Sequence, residues 1–204
     1  MSFDALTLRQ RFPVLSRRVR GKEFVYLDNA ATTHKPDVVI EALRRFYAEE
    51  YATVHRGVYF LSEQATHAYE QVRVKAARFL GAARPEEIVF VRGTTEALNL
   101  VAYSWGGTFL KRGDTVLVSA MEHHSNIVPW QLVCERSGAR LEVIPMSDRG
   151  ELMMEEFERQ LTSSVKIVAV TQLSNALGTL NPVREICALA RRAGAPSQSS
   201  AGRD

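Results

Sequence analysis

Two runs of apolar, largely β-branched residues set the fold: Thr115-Val116-Leu117-Val118-Ser119 and Val165-Lys166-Ile167-Val168-Ala169-Val170-Thr171. Both are too short for a typical helix, and neither alternates polar with apolar residues as a half-exposed strand would. Continuous runs of this kind fit parallel strands covered by helices on both faces. A third short run, Ile88-Val89-Phe90-Val91, reads as another strand. Each run ends in polar residues: Arg92-Gly93-Thr94-Thr95-Glu96 after the third, Met121-Glu122-His123-His124-Ser125-Asn126 after the first, and Gln172-Leu173-Ser174-Asn175 after the second. Ligands of open α/β sheets bind outside the carboxyl ends of the strands. The three strand ends are therefore expected to offer one crevice a phosphate seat, an imidazole pair and a carboxamide.

The phosphate seat has a direct physical basis. A helix opening at Thr94 leaves its first backbone N–H groups without intrahelical partners, and its dipole favours an anion there. Gly93 permits close approach, and the hydroxyls of Thr94 and Thr95 add donors. Taken alone, the same segment also reads as an ordinary helix N-cap.

Around these strands the pattern is β-α-β-α, which gives an α/β class with a largely parallel sheet. Upstream, a short helix over about Asp4 to Arg11 ends near Pro13. A second helix runs from Pro36 to about Tyr51, with Val39, Ala42, Leu43, Phe46 and Tyr47 at helical spacing. A third is expected to be capped by Ser62, to reach Leu80 and to stop at Gly81. Arg140 to Ile144 reads as a strand, and helices are expected from about Ile127, over Met153 to Leu161, and over Val183 to Ala193. The expected organisation is an arm and substrate-side segment over residues 1–35, a partial large domain over 36–195, and a polar tail over 196–204. That tail has no β-branched residue and is expected to be loose, leaving the sheet incomplete and an apolar edge exposed.

Composition narrows the function classes. Hydrophobic residues make up 46% of the 204 and charged residues 24%, the mixture of a soluble globular protein. The net charge of +3 is slight, and its 21 Arg and 5 Lys are scattered, without the stripe of a nucleic-acid binder. No apolar run approaches the roughly 18 residues of a membrane span, and the N-terminus lacks signal-peptide features. A cytoplasmic location is the expectation. Cys134 and Cys187 fall within helical patterns and read as buried thiols rather than metal ligands or a disulfide.

Five strings together resemble the class V aminotransferases, enzymes that use pyridoxal 5'-phosphate, and most of all the Suf-type cysteine desulfurases and selenocysteine lyases. They are Tyr26 to Pro36, Val54-His55-Arg56-Gly57, Arg92 to Asn99, Met121 to Trp130, and Ser174-Asn175-Ala176-Leu177-Gly178-Thr179. The resemblance runs from about Phe3 to Ala195 and covers about the first half of a family member. It implies the large domain of the fold type I pyridoxal-phosphate transferases. It also implies that Thr94 and Thr95 bind the cofactor phosphate, and that His123 stacks on the pyridine ring and relays protons. Asn175 would bond the ring hydroxyl or the substrate carboxylate. Asn29 and Ala30 would line the substrate pocket, and His55 and Arg56 would lie near it or at the contact of a homodimer.

The family also uses a Schiff-base lysine, an aspartate that keeps the pyridine nitrogen protonated, and a cysteine that carries the persulfide. The Val-Asp-x-Ala-Gln and Ser-x-His-Lys strings that supply the aspartate and the lysine do not occur in this sequence. His34-Lys35 mimics the second, but it sits at a helix entrance where the family does not use it. Three expectations follow. The first is the N-terminal portion of a cysteine desulfurase, converting L-cysteine to L-alanine and passing sulfur to an acceptor protein for iron–sulfur cluster assembly, yet inactive alone. The second is a non-catalytic half-domain that pairs with a partner or a full-length homologue. The third is a gene remnant, with the tail after Ala195 read out of frame.

Overall fold

A computed structural model of the protein describes residues 4–200. The chain divides into two units, Met1–Phe90 and Val91–Asp204. The division falls inside the stretch 36–195 that the sequence reading treats as one partial domain.

In the first unit, α1 (Ala5–Gln10) is capped by the Asp4 carboxylate, which accepts the N–H groups of Leu6 at 3.0 Å and Thr7 at 3.3 Å. Strands β1 (Arg18–Val19) and β2 (Lys22–Glu23) form a small antiparallel hairpin. Arg20 and Gly21 turn it with φ values of 52° and 75°, the double positive φ that matches strand twist in a two-residue loop. Helix α2 (Asp37–Arg45) continues as a π turn over Phe46–Glu50. Helix α3 (Phe60–Leu80) ends at Gly81, whose φ of 72° is the left-handed C-cap expected from sequence. Ser62 is not its cap. The helix begins two residues earlier, and the Ser62 hydroxyl is buried and donates to the Thr53 carbonyl at 2.7 Å. Gly57 lies so close that a Cβ there would sit 2.6 Å from that hydroxyl.

Ile88–Val91 is extended at its start but forms no strand, a second departure from expectation. Strand character requires a hydrogen-bonded neighbour, and none pairs with it among the described residues. Val89 remains 64% exposed. The apolar residues of α2 are also exposed, Leu43 by 52%, as is Tyr47 in the π turn that follows.

The second unit contains α4 (Thr94–Val101), a π turn, α5 (Gly107–Phe109), β3 (Thr115–Ser119), α6 (Val128–Ser137), β4 (Arg140–Ile144), α7 (Met154–Gln160), β5 (Val165–Thr171), α8 (Val183–Arg192) and β6 (Ser197–Ser200). The four strands form one parallel sheet in the order β4-β3-β5-β6. Alternate residues of the central strands serve two cores. On one face Val116, Val118, Ile167 and Ala169 pack with Trp130 and Val133 of α6 and with Ala102 and Leu110. On the other, Leu117, Val168 and Val170 pack with Phe157 of α7 and with Ile186 and Ala190 of α8. A register shift opposite Thr115/Val116 leaves Lys166 unpaired in the ladder, so that Val165 and Val168 face the same core.

Beyond Pro196 the expected loose tail is replaced by β6, with Val168 opposite Ser197 and Thr171 opposite Ser200. The ladder is made by backbone groups, which Ser and Gln supply as well as Val does. An unpaired β5 edge gains from any strand that pairs with it. The edge exposed is therefore polar rather than apolar. Residues 201–204 of the tail lie outside the described residues.

Phe157 is fully buried in the second core. Phe157→Ala is expected to lower the unfolding free energy by about 3–5 kcal/mol, measured by urea denaturation; a loss below about 1 kcal/mol would contradict this packing.

Candidate functional site

The chain runs outward from β3 to β4 and then returns past β3 to β5. The sheet order therefore reverses between β3 and β5, which is where open α/β sheets bind ligands beyond their carboxyl ends. Three polar segments carry the residues named from sequence, and the structure adds a residue that joins the ends of β3 and β5.

Helix α4 opens at Thr94, as expected. Gly93 before it is extended, with φ 174°, and a Cβ there would meet nothing within 4 Å, so an approaching anion has open space. Glu96, in the first turn, reaches back to accept the backbone N–H of Arg92 at 2.6 Å and bonds its guanidinium at 3.1 and 3.2 Å. That pairing holds the Glu96 carboxyl below the usual carboxylate range and offsets its charge beside the helix start. Helix α4 packs against the 3-10 turn His124–Asn126 that follows β3.

His123 immediately precedes that turn and is exposed. Its Nδ1 accepts the N–H of Ser125 at 3.2 Å and lies 2.9 Å from the Ser125 hydroxyl. A ring nitrogen that accepts a backbone N–H carries no proton, so this geometry places the ring proton on Nε2. His124 is likewise exposed, its ring edge-on to His123 at 6.0 Å.

Asn175 follows β5 in a tight turn closed by Ser174 N–H to Thr179 carbonyl at 3.0 Å and Gly178 N–H to Ser174 carbonyl at 2.9 Å. Its carboxamide is exposed. A second anchor ties the turn to the β4 side, the Thr179 hydroxyl donating to the Gly150 carbonyl at 2.8 Å.

Glu122 received no role in the sequence reading, although it stands between a strand end and two histidines. Its Oε1 accepts the Thr171 backbone N–H at 2.7 Å and the Ser119 hydroxyl, and its Oε2 accepts the Asn126 amide at 2.8 Å. One carboxylate thus ties the end of β3 to the end of β5. Burial pushes its carboxyl above the usual range, against the pull of the Asn126, Ser119 and Thr171 hydrogen bonds.

The remaining candidates lie in the first unit. Asn29 and Ala30 occupy an exposed turn, in which Thr32 N–H bonds the Asp28 carbonyl at 3.1 Å. The Tyr26 hydroxyl spans that turn, within 3.1 Å of the Asp28 carbonyl and 3.0 Å of the Thr32 carbonyl. His55 adopts a left-handed φ of 64° and is held on both sides. Its N–H donates to the Thr66 hydroxyl at 2.9 Å, and its Nε2 lies 3.0 Å from Glu70. Arg73 in turn pairs with Glu70 at 3.2 Å and packs over the rings of Tyr69 and Phe90. Arg56 is exposed.

Pyridoxal 5'-phosphate is the group these residues were expected to hold. The donor set of the second unit fits its phosphate and ring: a helix start that carries two hydroxyls, an exposed imidazole and an exposed carboxamide. A covalent anchor does not fit there. In that unit Lys111 precedes β3 and Lys166 begins β5, both at the amino ends of the strands, and Lys166 Nζ donates to the Ser163 carbonyl at 2.8 Å. No group of metal-ligating side chains occurs among the described residues, and no described helix is long and apolar enough to cross a membrane.

Cys134 does not resemble a persulfide carrier. Cys134 is buried, and burial pushes its thiol up to about 11. Cys187, expected to be buried, is half-exposed on α8. At about pH 8 roughly a thousandth of a thiol titrating at about 11 is thiolate, so iodoacetamide should label Cys187 well before Cys134. Equal labelling of the native chain, read by peptide mass spectrometry, would contradict this burial.

Residues 25–197 match the family Aminotransferase class-V. A cysteine desulfurase of Enterobacter sp. (strain 638) is 52% identical over 195 residues, which make up 96% of this chain and 48% of that protein. A probable cysteine desulfurase of Mycobacterium leprae is also 52% identical, over 95% of this chain and 32% of that protein. The apo structure of a cysteine desulfurase from Thermococcus onnurineus NA1 superimposes with a TM-score of 0.88 at 39% identity, over 98% of this chain and 48% of that one. A cysteine desulfurase from Escherichia coli gives a TM-score of 0.84 at 33% identity, over 98% and 49%. The chain spans about half, or less, of the length of the relatives it matches.

Proposed function

This chain belongs to the aminotransferase class-V family, and on that premise we propose that it is the part of a cysteine desulfurase that supplies the phosphate seat and the ring-stacking histidine for pyridoxal 5'-phosphate. The observation that carries the reading is the packing of α4, opened by Gly93-Thr94-Thr95, against the turn that follows His123 at the β3–β5 reversal. The 52% identity to a cysteine desulfurase supports the substrate class.

When bound, the cofactor supplies an electron sink for negative charge developing at the α carbon of an amino acid. Thr94 and Thr95 hold the phosphate through hydroxyls and the first N–H groups of α4. His123 stacks on the ring and holds a proton on Nε2, the nitrogen opposite the one engaged by Ser125. Asn175 donates to the ring hydroxyl or to the substrate carboxylate. Substrate-side roles for Asn29, Ala30, His55 and Arg56, with His55 and Arg56 also assigned to a homodimer contact, rest on the resemblance of their sequence strings. In the whole protein the proposed reaction converts L-cysteine to L-alanine, and sulfur passes to a thiol and then to an acceptor protein for iron–sulfur cluster assembly, in the cytoplasm. Selenocysteine is the nearest alternative substrate.

Because no lysine of the second unit reaches the carboxyl ends of its strands, this chain by itself is expected to bind the cofactor non-covalently and to release no alanine from L-cysteine. Equilibrium dialysis with pyridoxal 5'-phosphate tests the seat. The double substitution Thr94→Val, Thr95→Val should weaken binding by about tenfold or more, the cost of lost hydrogen bonds to a charged group. Binding unchanged by that substitution would remove the phosphate seat. Alanine formed by the chain alone, or a cofactor adduct surviving borohydride reduction and denaturation, would overturn the non-covalent assignment.

A further inference from the structure

We propose that Glu122 is a positioning residue for His123, kept in one orientation by a hydrogen-bond relay whose direction is set at its far end by the Trp130 indole; the role rests on the ring-stacking assignment of His123.

The relay begins at a group with no choice. An indole N–H only donates, and Trp130 is fully buried, so its Nε1 must give its proton to a protein acceptor. It does so to Asn126 Oδ1 at 3.1 Å. That bond fixes which way round the Asn126 amide lies and leaves its Nδ2 to donate to Glu122 Oε2 at 2.8 Å. At the other oxygen, the Thr171 backbone N–H is also an obligate donor, at 2.7 Å. Only the Ser119 hydroxyl, which bonds the same oxygen, can rotate to give or to take a proton.

A carboxylate satisfies this arrangement because it accepts at both oxygens. A protonated carboxyl also satisfies it, by giving its proton to Ser119. A carboxamide satisfies neither orientation: its NH2 group faces Asn126 Nδ2 one way round and the Thr171 N–H the other. Glu122→Gln is nearly isosteric, yet here it places two donors face to face.

The anchored residues flank His123 along the chain. Met121 is buried, and its sulfur accepts from Asn181 Nδ2 at 3.2 Å, an amide that also donates to the Thr171 carbonyl at 2.8 Å. Residues 121, 122 and 126 are thus each tied to neighbouring structure, and only 123–125 span between them. Within the span the Asn126 N–H donates to the His123 carbonyl at 2.8 Å, and the Ser125 N–H donates to the His123 ring. Orientation of the imidazole therefore depends on two anchors that share one carboxylate.

The test uses the full chain with Glu122→Gln, Trp130→Phe and both together, and reads two quantities. The first is the 15N signature of the His123 ring, which should show Nε2 protonated in the parent chain. It should lose that single form in Glu122→Gln and regain it in the double variant, because removing the indole N–H lets Asn126 turn over and accept from the introduced carboxamide. The second is the affinity for pyridoxal 5'-phosphate against that for inorganic phosphate. Glu122→Gln should weaken the first about tenfold and the second less than about twofold, with recovery of at least about threefold in the double variant. Equal loss for both ligands, no recovery in the double variant, or an unchanged ring signature would overturn the proposal. If the parent chain binds no pyridoxal 5'-phosphate, the functional reading fails, and the ring signature alone decides the positioning role. If Glu122→Gln does not fold, Asn126→Ala decides, since it removes the tie to Glu122 Oε2 without setting two donors face to face, and an undisturbed His123 signal overturns the proposal.

Discussion

Parallel pairing of β3 with β5 is the contact on which the second unit depends. Both strands carry apolar residues on both faces, so neither is soluble without helices above and below, and neither can shift register without exposing one core. Because the strands are parallel and adjacent, their carboxyl ends leave the sheet on the same side. The sheet order reverses between them, and the helices that follow lie on opposite faces. A crevice opens there as a consequence of topology, before any side chain is considered.

The side chains at that crevice solve a problem the topology creates. Loops leaving parallel strands have no ladder of their own, and their backbone groups need partners. Glu122 meets this need by bringing one carboxylate to the Thr171 N–H, the Ser119 hydroxyl and the Asn126 amide. Its burial raises the cost of the charge, and the three donors offset part of it. At the start of α4 the electrostatics run the other way. Glu96 lies at an exposed helix start and is neutralised by Arg92, so the local field stays open to an anion.

The two central strands were legible to the residue, Thr115–Ser119 and Val165–Thr171, since an uninterrupted β-branched run has few other uses. The opening of α4 at Thr94, the Gly81 cap and the strand Arg140–Ile144 were legible for similar local reasons. Ile88–Val91 carries the same composition yet pairs with nothing among the described residues, while Ser197–Ser200 carries none of it and pairs in full. Pairing is a property of the neighbour as much as of the segment. At the candidate site, Thr94, Thr95, His123 and Asn175 could be named from motif strings. Glu122 could not, because a lone glutamate near a strand end gives no sign of which backbone N–H it will meet 49 residues on.

By itself the sequence determined the class of the fold, the identity of its buried strands and the family, because hydrophobic period and short polar strings are local and survive without their surroundings. Only the tertiary structure decided which segments became strands at the margins, that the polar residues 197–200 close one edge, and that Glu122 joins β3 to β5. Hydrogen bonds between distant parts of the chain depend on which groups folding brings within about 3 Å, and no local pattern encodes that distance.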